Sequence, residues 1–318
     1  MNLRSLGRSG LSISPLVFGG NVFGWTADEA TSHGLLDAFT GAGFNAVDTA
    51  EAYSSWVPGH KGGESETVIG TWLAKGGEAR RETVIIATKS GWRAGDGPAG
   101  LLRADKIKAA VDASLLRLQT DYIDLHQTHS DDPDTPFEEI FGAYRDLIDA
   151  GKVRAVGASN ISAARLQEAL AVSAREGLPR YESVQPAYNL YQREIEADLL
   201  PVCRDAEVGV ISYYGLAAGF LTGKYRTEAD AAKSARGQGV VSRFLNAKGL
   251  KILAALDEVS HAVGATPAQV ALAWIMAKPD VTAPIASATS VAQFEELARA
   301  TELKLDDEAM AKLDAAGL

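Results

Sequence analysis

Short apolar runs alternate with longer amphipathic segments along the chain. Eight runs stand out, at positions 16–18, 45–48, 83–89, 122–127, 153–158, 183–186, 208–213 and 281–285. Continuous apolar runs of this length suit parallel strands buried on both faces, joined by right-handed helical crossovers. The segments between them carry helix signals. Thr135-Pro136-Phe137-Glu138 reads as a capping box with proline at the first helical position. Phe137, Ile140, Phe141, Tyr144, Leu147 and Ile148 then mark one apolar face, and Gly151 follows as a stop. Thr266-Pro267-Ala268-Gln269 repeats the device, with Val270, Ala273 and Trp274 as its stripe. Between 105 and 118, Ile107, Val111, Ser114, Leu115 and Leu118 fall at helical spacing. Eight such units predict an α/β chain folded as a single (β/α)8 TIM barrel domain over residues 1–318.

Two parts stand outside the repeat. Residues 4–6 and 11–13 flank Gly7-Arg8-Ser9-Gly10, which predicts an N-terminal hairpin able to plug the bottom of the barrel. The stretch 220–263 is too long for one loop. It predicts an insertion near 226–263, with a polar, flexible stretch at 227–239 followed by a helix at 250–263. A doubly wound sheet would place G-x-G-x-x-G after its first strand. Here Gly19-Gly20-Asn21 runs into Val22 and Phe23, so that architecture is set aside.

Composition narrows the function classes. The 318 residues are 46% hydrophobic and 23% charged, ample for a large core. The net charge is -10 and no basic run occurs, which argues against nucleic-acid or anionic-membrane partners. Cys203 is the only cysteine, and the N-terminus lacks an apolar signal core, so a cytoplasmic protein without disulfides is expected. His33, His60 and His261 show no Cys/His/Asp ligand spacing, so no metal is expected. Nothing in the pattern sets an oligomeric state.

Candidate chemistry gathers at the ends of three successive runs. Asp48 and Tyr53 lie in VDTAEAY (47–53), Lys89 in IIATKS (85–90) and His129 in DYIDLHQTHS (121–130). In a barrel these ends converge on one face. An acid, a phenol, an amine and an imidazole brought together there make a proton-donating site built around a tyrosine. A phenol is a poor acid near neutral pH, and a neighbouring ammonium lowers its pKa. Lys89 is placed to do this, with Asp48 as counter-charge, and His129 to orient a carbonyl oxygen. His126, three residues before His129, points to the opposite face of a strand and reads as packing.

These motifs resemble the aldo-keto reductases, which reduce carbonyls with a nicotinamide cofactor. The resemblance implies NAD(P)H-dependent reduction of an aldehyde or ketone, or the reverse oxidation of an alcohol. Tyr53 is then general acid/base, with Asp48, Lys89 and His129 in support. It covers nearly the whole chain. VGASN (156–160) implies that Ser159 and Asn160 bind the nicotinamide carboxamide, and VQPAYNLYQRE (184–194) adds Gln185. VISYYGLAAGFLTGKY (210–225) implies Tyr213 stacked on the nicotinamide, backbone N–H groups of Gly215, Leu216 and Gly219 at the pyrophosphate, and Lys224 beside them. Asn21, Asp48 and Ser287 complete the implied cofactor wall.

IASATSVAQFEEL (285–297) departs from the family pattern. The family often has Lys or Arg at the Ser290 position, pairing with the 2'-phosphate of NADP, and Asn at the Leu297 position. Thr289, Ser290 and Gln293 at a helix start, or Arg236 or Arg243 from the long loop, are the alternatives for that phosphate. NADP is the expected cofactor, with NAD possible. Phe23, Trp25, Trp56 and Trp92 are the expected substrate wall, with an insertion at 56–63 over the site. Lys61, Arg93 and Asp96 are the few charges in these loops. Some relatives serve as redox-sensing partners of membrane channels, which makes a cofactor-binding regulatory subunit the alternative. The absence of a long N-terminal extension and the intact tetrad speak against it. A barrel aldolase or isomerase using Lys89 as a Schiff base is a third reading.

Overall fold

The computed structural model describes residues 2–92, 100–234 and 236–318. Arg93 and Asp96 lie outside them. A two-stranded antiparallel hairpin, β1 (Arg4–Ser5) and β2 (Ser12–Ile13), precedes eight parallel strands. These are β3 (Val17–Gly19), β4 (Ala46–Asp48), β5 (Ile85–Ser90), β6 (Ile123–Thr128), β7 (Val153–Ser159), β8 (Ser183–Gln185), β9 (Gly209–Ser212) and β10 (Ala283–Ala286). They close into a barrel in chain order, with β10 pairing β3. The helices are α1 (Glu29–Gly41), α2 (Glu64–Thr83), α3 (Ala104–Leu118), α4 (Phe137–Asp149), α5 (Ala163–Glu176), α6 (Leu199–Asp205), α7 (Gly237–Phe244), α8 (Ala247–Val263), α9 (Pro267–Met276), α10 (Val291–Ala298) and α11 (Asp307–Gly317). This is the (β/α)8 barrel with an N-terminal hairpin that the alternating pattern predicts.

Period-two alternation divides the core. Phe18, Val47, Ile86, Val156, Val184 and Val210 face the helices, whereas Val17, Ala46, Ala87, Leu125, Ala155 and Ile211 face the barrel axis. Leu6, Leu11 and Ile13 of the hairpin segment pack against that inner set and plug the bottom. Four inner positions are alanine (Ala46, Ala87, Ala155 and Ala283), which leaves room for the plug. By the same alternation, Asp48, Lys89, Gln127 and Gln185 point inward one step higher.

Two local expectations change. The Thr266–Gln269 capping box forms in full at α9. The one at Thr135 does not: Pro136 is the N-cap of α4, and no side chain caps that helix. Thr135 Oγ1 instead donates to Asp132 Oδ2 at 2.9 Å. Asp132 also takes the N–H groups of Leu102, Gly100 and Asp134, so the hydroxyl is committed to the loop rather than to the helix. In the insertion, the expected flexible stretch contains regular structure. A 3-10 helix at Glu228–Lys233 is opened by a Thr227/Asp230 capping box, and α7 follows. Arg226 ties this segment to Asp257 on α8 through two hydrogen bonds of 2.8 and 2.7 Å.

Candidate active site

Each strand delivers its chemistry at its C-terminal end. Asp48 closes β4, Lys89 is the penultimate residue of β5, and His129 directly follows β6. Lys89 Nζ donates to Asp48 Oδ1 (2.7 Å), Asp48 Oδ2 (2.8 Å) and Thr49 O (2.8 Å). Both charged side chains are 1% exposed. Leaving either alone in that setting would cost about 3–5 kcal/mol. Tyr53 OH donates to Asp48 Oδ2 at 3.0 Å, and Lys89 Nζ stands 4.6 Å from the centre of its ring.

The electrostatics differ from the sequence expectation at Tyr53. Burial, then the charge of Asp48 and the hydrogen bond to it, raise the phenol well above its ordinary range. The carboxylate accepts from both phenol and ammonium, so its charge opposes the ammonium's effect on the phenol. Tyr53 is therefore held protonated. Burial draws Lys89 below the usual lysine value, with Asp48 opposing it. His129 is pulled well below its ordinary value by burial and then by Lys89, so it is neutral.

The rings form a continuous series. Trp25 and Trp56 are 5.5 Å apart, Trp56 and Tyr53 6.1 Å, Tyr53 and His129 6.2 Å, and His129 and Trp92 4.7 Å. Trp56 and Trp92 are nearly half exposed and rim the opening. Phe23 does not join them. It is wholly buried, stacked on Phe18 at 5.3 Å, with its carbonyl accepting from Ser54 Oγ. The bridge between Phe23 and Ala27 turns the loop so that Phe23 enters the core and Trp25 faces the mouth. His126 faces outward from β6, wholly buried, with Nδ1 2.9 Å from Tyr144 OH and Nε2 3.3 Å from Ser90 Oγ.

Around the rest of the rim lie the residues implied for a dinucleotide. Ser159 Oγ donates to Gln185 O, and Asn160 Nδ2 donates to His129 O and Ser159 Oγ. Asn160 Oδ1 accepts from Tyr213 OH at 2.8 Å. Both Asn160 amide hydrogens and the Ser159 hydroxyl hydrogen are thus spent on the protein, whereas Gln185 Oε1 accepts from no described residue. Asn21 Oδ1 accepts from Ser287 Oγ at 2.6 Å, leaving Asn21 Nδ2 as a donor. A side chain at Gly19 would strike that Ser287 hydroxyl.

In the loop after β9, Tyr214, Ala217, Ala218 and Gly219 all have left-handed backbone, a strained arrangement for three of them. Gly219 N–H is used on Leu216 O (2.8 Å), whereas those of Gly215 and Leu216 bond to no described residue. Lys224 Nζ returns to within 3.5 Å of where a Gly219 side chain would begin. Ser290 Oγ caps α10 through Gln293 N–H, and Gln293 Oε1 accepts from Thr289 N and Oγ1, both at 2.9 Å. Leu297 is core. Arg236 lies over the Trp25 ring at 5.1 Å and Arg243 over Phe244 at 5.1 Å.

Three residues of this face escape sequence reasoning. Glu51 accepts from Gly91 N–H at 2.7 Å, and burial raises its pKa. Glu66, wholly buried on α2, accepts from Thr88 Oγ1 (2.5 Å) and Arg117 Nε (2.6 Å) behind Lys89. Gln127 accepts from Gln185 Nε2 at 3.3 Å. Only Gln127 carries a signal, its inward parity on β6.

The family model described as the aldo/keto reductase family matches residues 15–317. This chain belongs to the aldo/keto reductase family. Relatives include a Bacillus subtilis (strain 168) protein named uncharacterized oxidoreductase YrpG, 36% identical over 99% of this chain and 95% of the relative. The aldo-keto reductase YhdN of the same strain is 33% identical over 94% of this chain and 87% of its own length. A probable voltage-gated potassium channel subunit beta of Arabidopsis thaliana is 32% identical over 95% of this chain and 92% of its own. Among the described residues of this aldo/keto reductase, no group of three or more His, Cys, Asp or Glu is placed to hold a metal ion. No helix among them is long and apolar enough to cross a membrane.

Proposed function

We propose that this aldo/keto reductase interconverts a carbonyl compound and its alcohol, with NADP(H) as cofactor and Tyr53 as the acid/base at the substrate oxygen. The observation that carries the reading is the buried Tyr53–Asp48–Lys89 cluster, with the phenol oxygen 3.0 Å from Asp48 Oδ2 and donating to it. A nicotinamide held at this face would supply or receive the hydride. Tyr53, held protonated, gives its proton to the developing alkoxide. Lys89 and Asp48 keep the cluster neutral before transfer, and the Lys89 ammonium faces the phenolate that transfer creates. Neutral His129 orients the substrate oxygen from the other side. Trp25, Trp56 and Trp92 exclude water from the mouth.

The residues present fit a dinucleotide. Gln185 Oε1 suits a carboxamide, Tyr213 a flat ring, and the N–H groups of Gly215 and Leu216 with Lys224 a pyrophosphate. A Schiff-base role for Lys89 fits poorly, because its three hydrogen bonds leave no lone pair for a carbonyl carbon.

Optical assay of NADPH oxidation with a panel of aldehydes tests the proposal. The row of indoles predicts higher kcat/KM for benzaldehyde-like than for propanal-like compounds, since a buried ring removes ~150 Å² or more from water. Trp56→Ala should raise KM for the larger compounds more than for the small ones. Absence of turnover across the panel would support the regulatory-subunit reading instead. Equal specificity constants unmoved by Trp56→Ala would remove the tryptophans from the substrate site.

The preference for NADP is tested at Ser290. Ser290 caps Gln293 N–H and leaves those of Val291 and Ala292 at the start of α10. Ser290→Arg adds a cation there and should tighten NADP relative to NAD by roughly tenfold. An unchanged ratio would place the 2'-phosphate away from α10.

A further inference from the structure

Asp48 accepts four hydrogen bonds, two from Lys89, one from Tyr53 and one from Gln185 Nε2 at 2.8 Å. A carboxylate that only accepts dictates which end of the Gln185 amide it meets. The remaining Nε2 hydrogen of Gln185 then points at Gln127 Oε1, 3.3 Å away. Turning Gln127 over would set N–H against N–H. Gln127 therefore keeps its oxygen toward Gln185 and leaves its own Nε2 buried without a partner. That is a standing cost in a side chain with no exposed surface.

The barrel register explains how Gln127 reaches this place. It pairs with Lys89 on β5 and with Gly157 on β7, all three on the inward face. A side chain at Gly157 would run into Gln127 Cγ and Ser183 Oγ, so glycine there leaves Gln127 room to extend. At the top of this relay, both amide hydrogens of Gln185 are used. Its Oε1 accepts from no described residue, whereas Asn160 Oδ1 and Ser159 Oγ each already accept one hydrogen bond.

We propose that Gln127 is a positioning residue: Asp48 sets which end of the Gln185 amide faces it, and Gln127 holds the second N–H, so that Gln185 is a fixed acceptor that selects a ligand carboxamide by its N–H. The inference rests on the dinucleotide reading given above. It is tested with oxidised NADP and its 3-acetylpyridine analogue, in which a methyl replaces the amide NH2. Dissociation constants are read by quenching of tryptophan fluorescence. The wild type should bind the amide tighter by roughly fivefold, the worth of one neutral hydrogen bond. Gln127→Met keeps the shape but not the acceptor; Asp48 still holds one N–H of Gln185, and the ratio should fall toward one while the protein stays folded. Gln127→Glu keeps an acceptor oxygen and should restore the ratio. A packing role would give the opposite order. A folded Gln127→Met variant that keeps the wild-type ratio overturns the inference alone, whether or not Gln127→Glu folds. A wild type that binds both dinucleotides equally removes the acceptor role of Gln185 with it. A wild type that binds neither overturns the dinucleotide reading as well.

Discussion

Replacing Tyr53 with phenylalanine is expected to lower turnover by at least ~100-fold, the scale of lost general acid catalysis. The ring should stay in place. It is held by Trp56 at 6.1 Å and by the Lys89 ammonium at 4.6 Å, neither of which needs the hydroxyl. Asp48 loses one donor but keeps two hydrogen bonds from Lys89 and one from Gln185, so the buried charge stays satisfied. Folding and dinucleotide affinity should therefore be nearly unchanged, and the loss should fall on kcat. Steady-state kinetics beside a dinucleotide titration make the comparison. A Phe variant with near-normal kcat would end the tyrosine-acid mechanism and move the proton source to His129 or to water.

The second large effect is on stability toward acid. His126 is buried between the hydroxyls of Tyr144 and Ser90, and burial lowers its pKa to about 3. An unfolded histidine binds its proton at about pH 6.5. Between those values the unfolded chain holds a proton that the folded chain refuses. Stability is thus fully present above pH ~6.5 and falls as the pH drops toward ~3, by about 1.4 kcal/mol per unit. Integrated for this one group, the loss between about pH 7 and about pH 5 is about 2 kcal/mol. His129, also depressed by burial, acts in the same direction. Denaturant unfolding at the two pH values, with wild type and His126→Gln, isolates the effect. The variant should lose that increment of pH dependence, whatever its absolute stability. Identical slopes for the two proteins would show that His126 does not carry the linkage.

The positions of the eight barrel strands are legible from the apolar runs to within a residue or two. Strands buried on both faces give continuous apolar segments, and few other structures place them so regularly. The run at 183–186 becomes β8 at Ser183–Gln185, and that at 153–158 becomes β7 at Val153–Ser159. Local chemistry is legible for the same reason. The box at Thr266 needs only residues three apart. The separation of His126 from His129 needs only strand parity, which sends one to Tyr144 and the other to the mouth.

What only the tertiary structure decided involves partners distant in sequence. Thr135 turns from α4 because Asp132 has already gathered the loop at 100–102. Phe23 and Trp25 share one loop, yet Phe18 takes the first into the core and Arg236, from the insertion after β9, lies over the second. The direction in which the pKa of Tyr53 is displaced also depends on such contacts. Strand-end spacing brings an ammonium near a phenol, whereas the folded barrel also hydrogen-bonds Asp48 to both and buries all three. The relay from Asp48 through Gln185 to Gln127 joins β4, β8 and β6, three strands that meet only across the axis of the closed barrel. Sequence by itself determined which chemical groups stand at the strand ends, because that follows from periodicity. Barrel closure decided which of them touch, and hydrogen-bond direction and charge state follow from contact rather than from spacing.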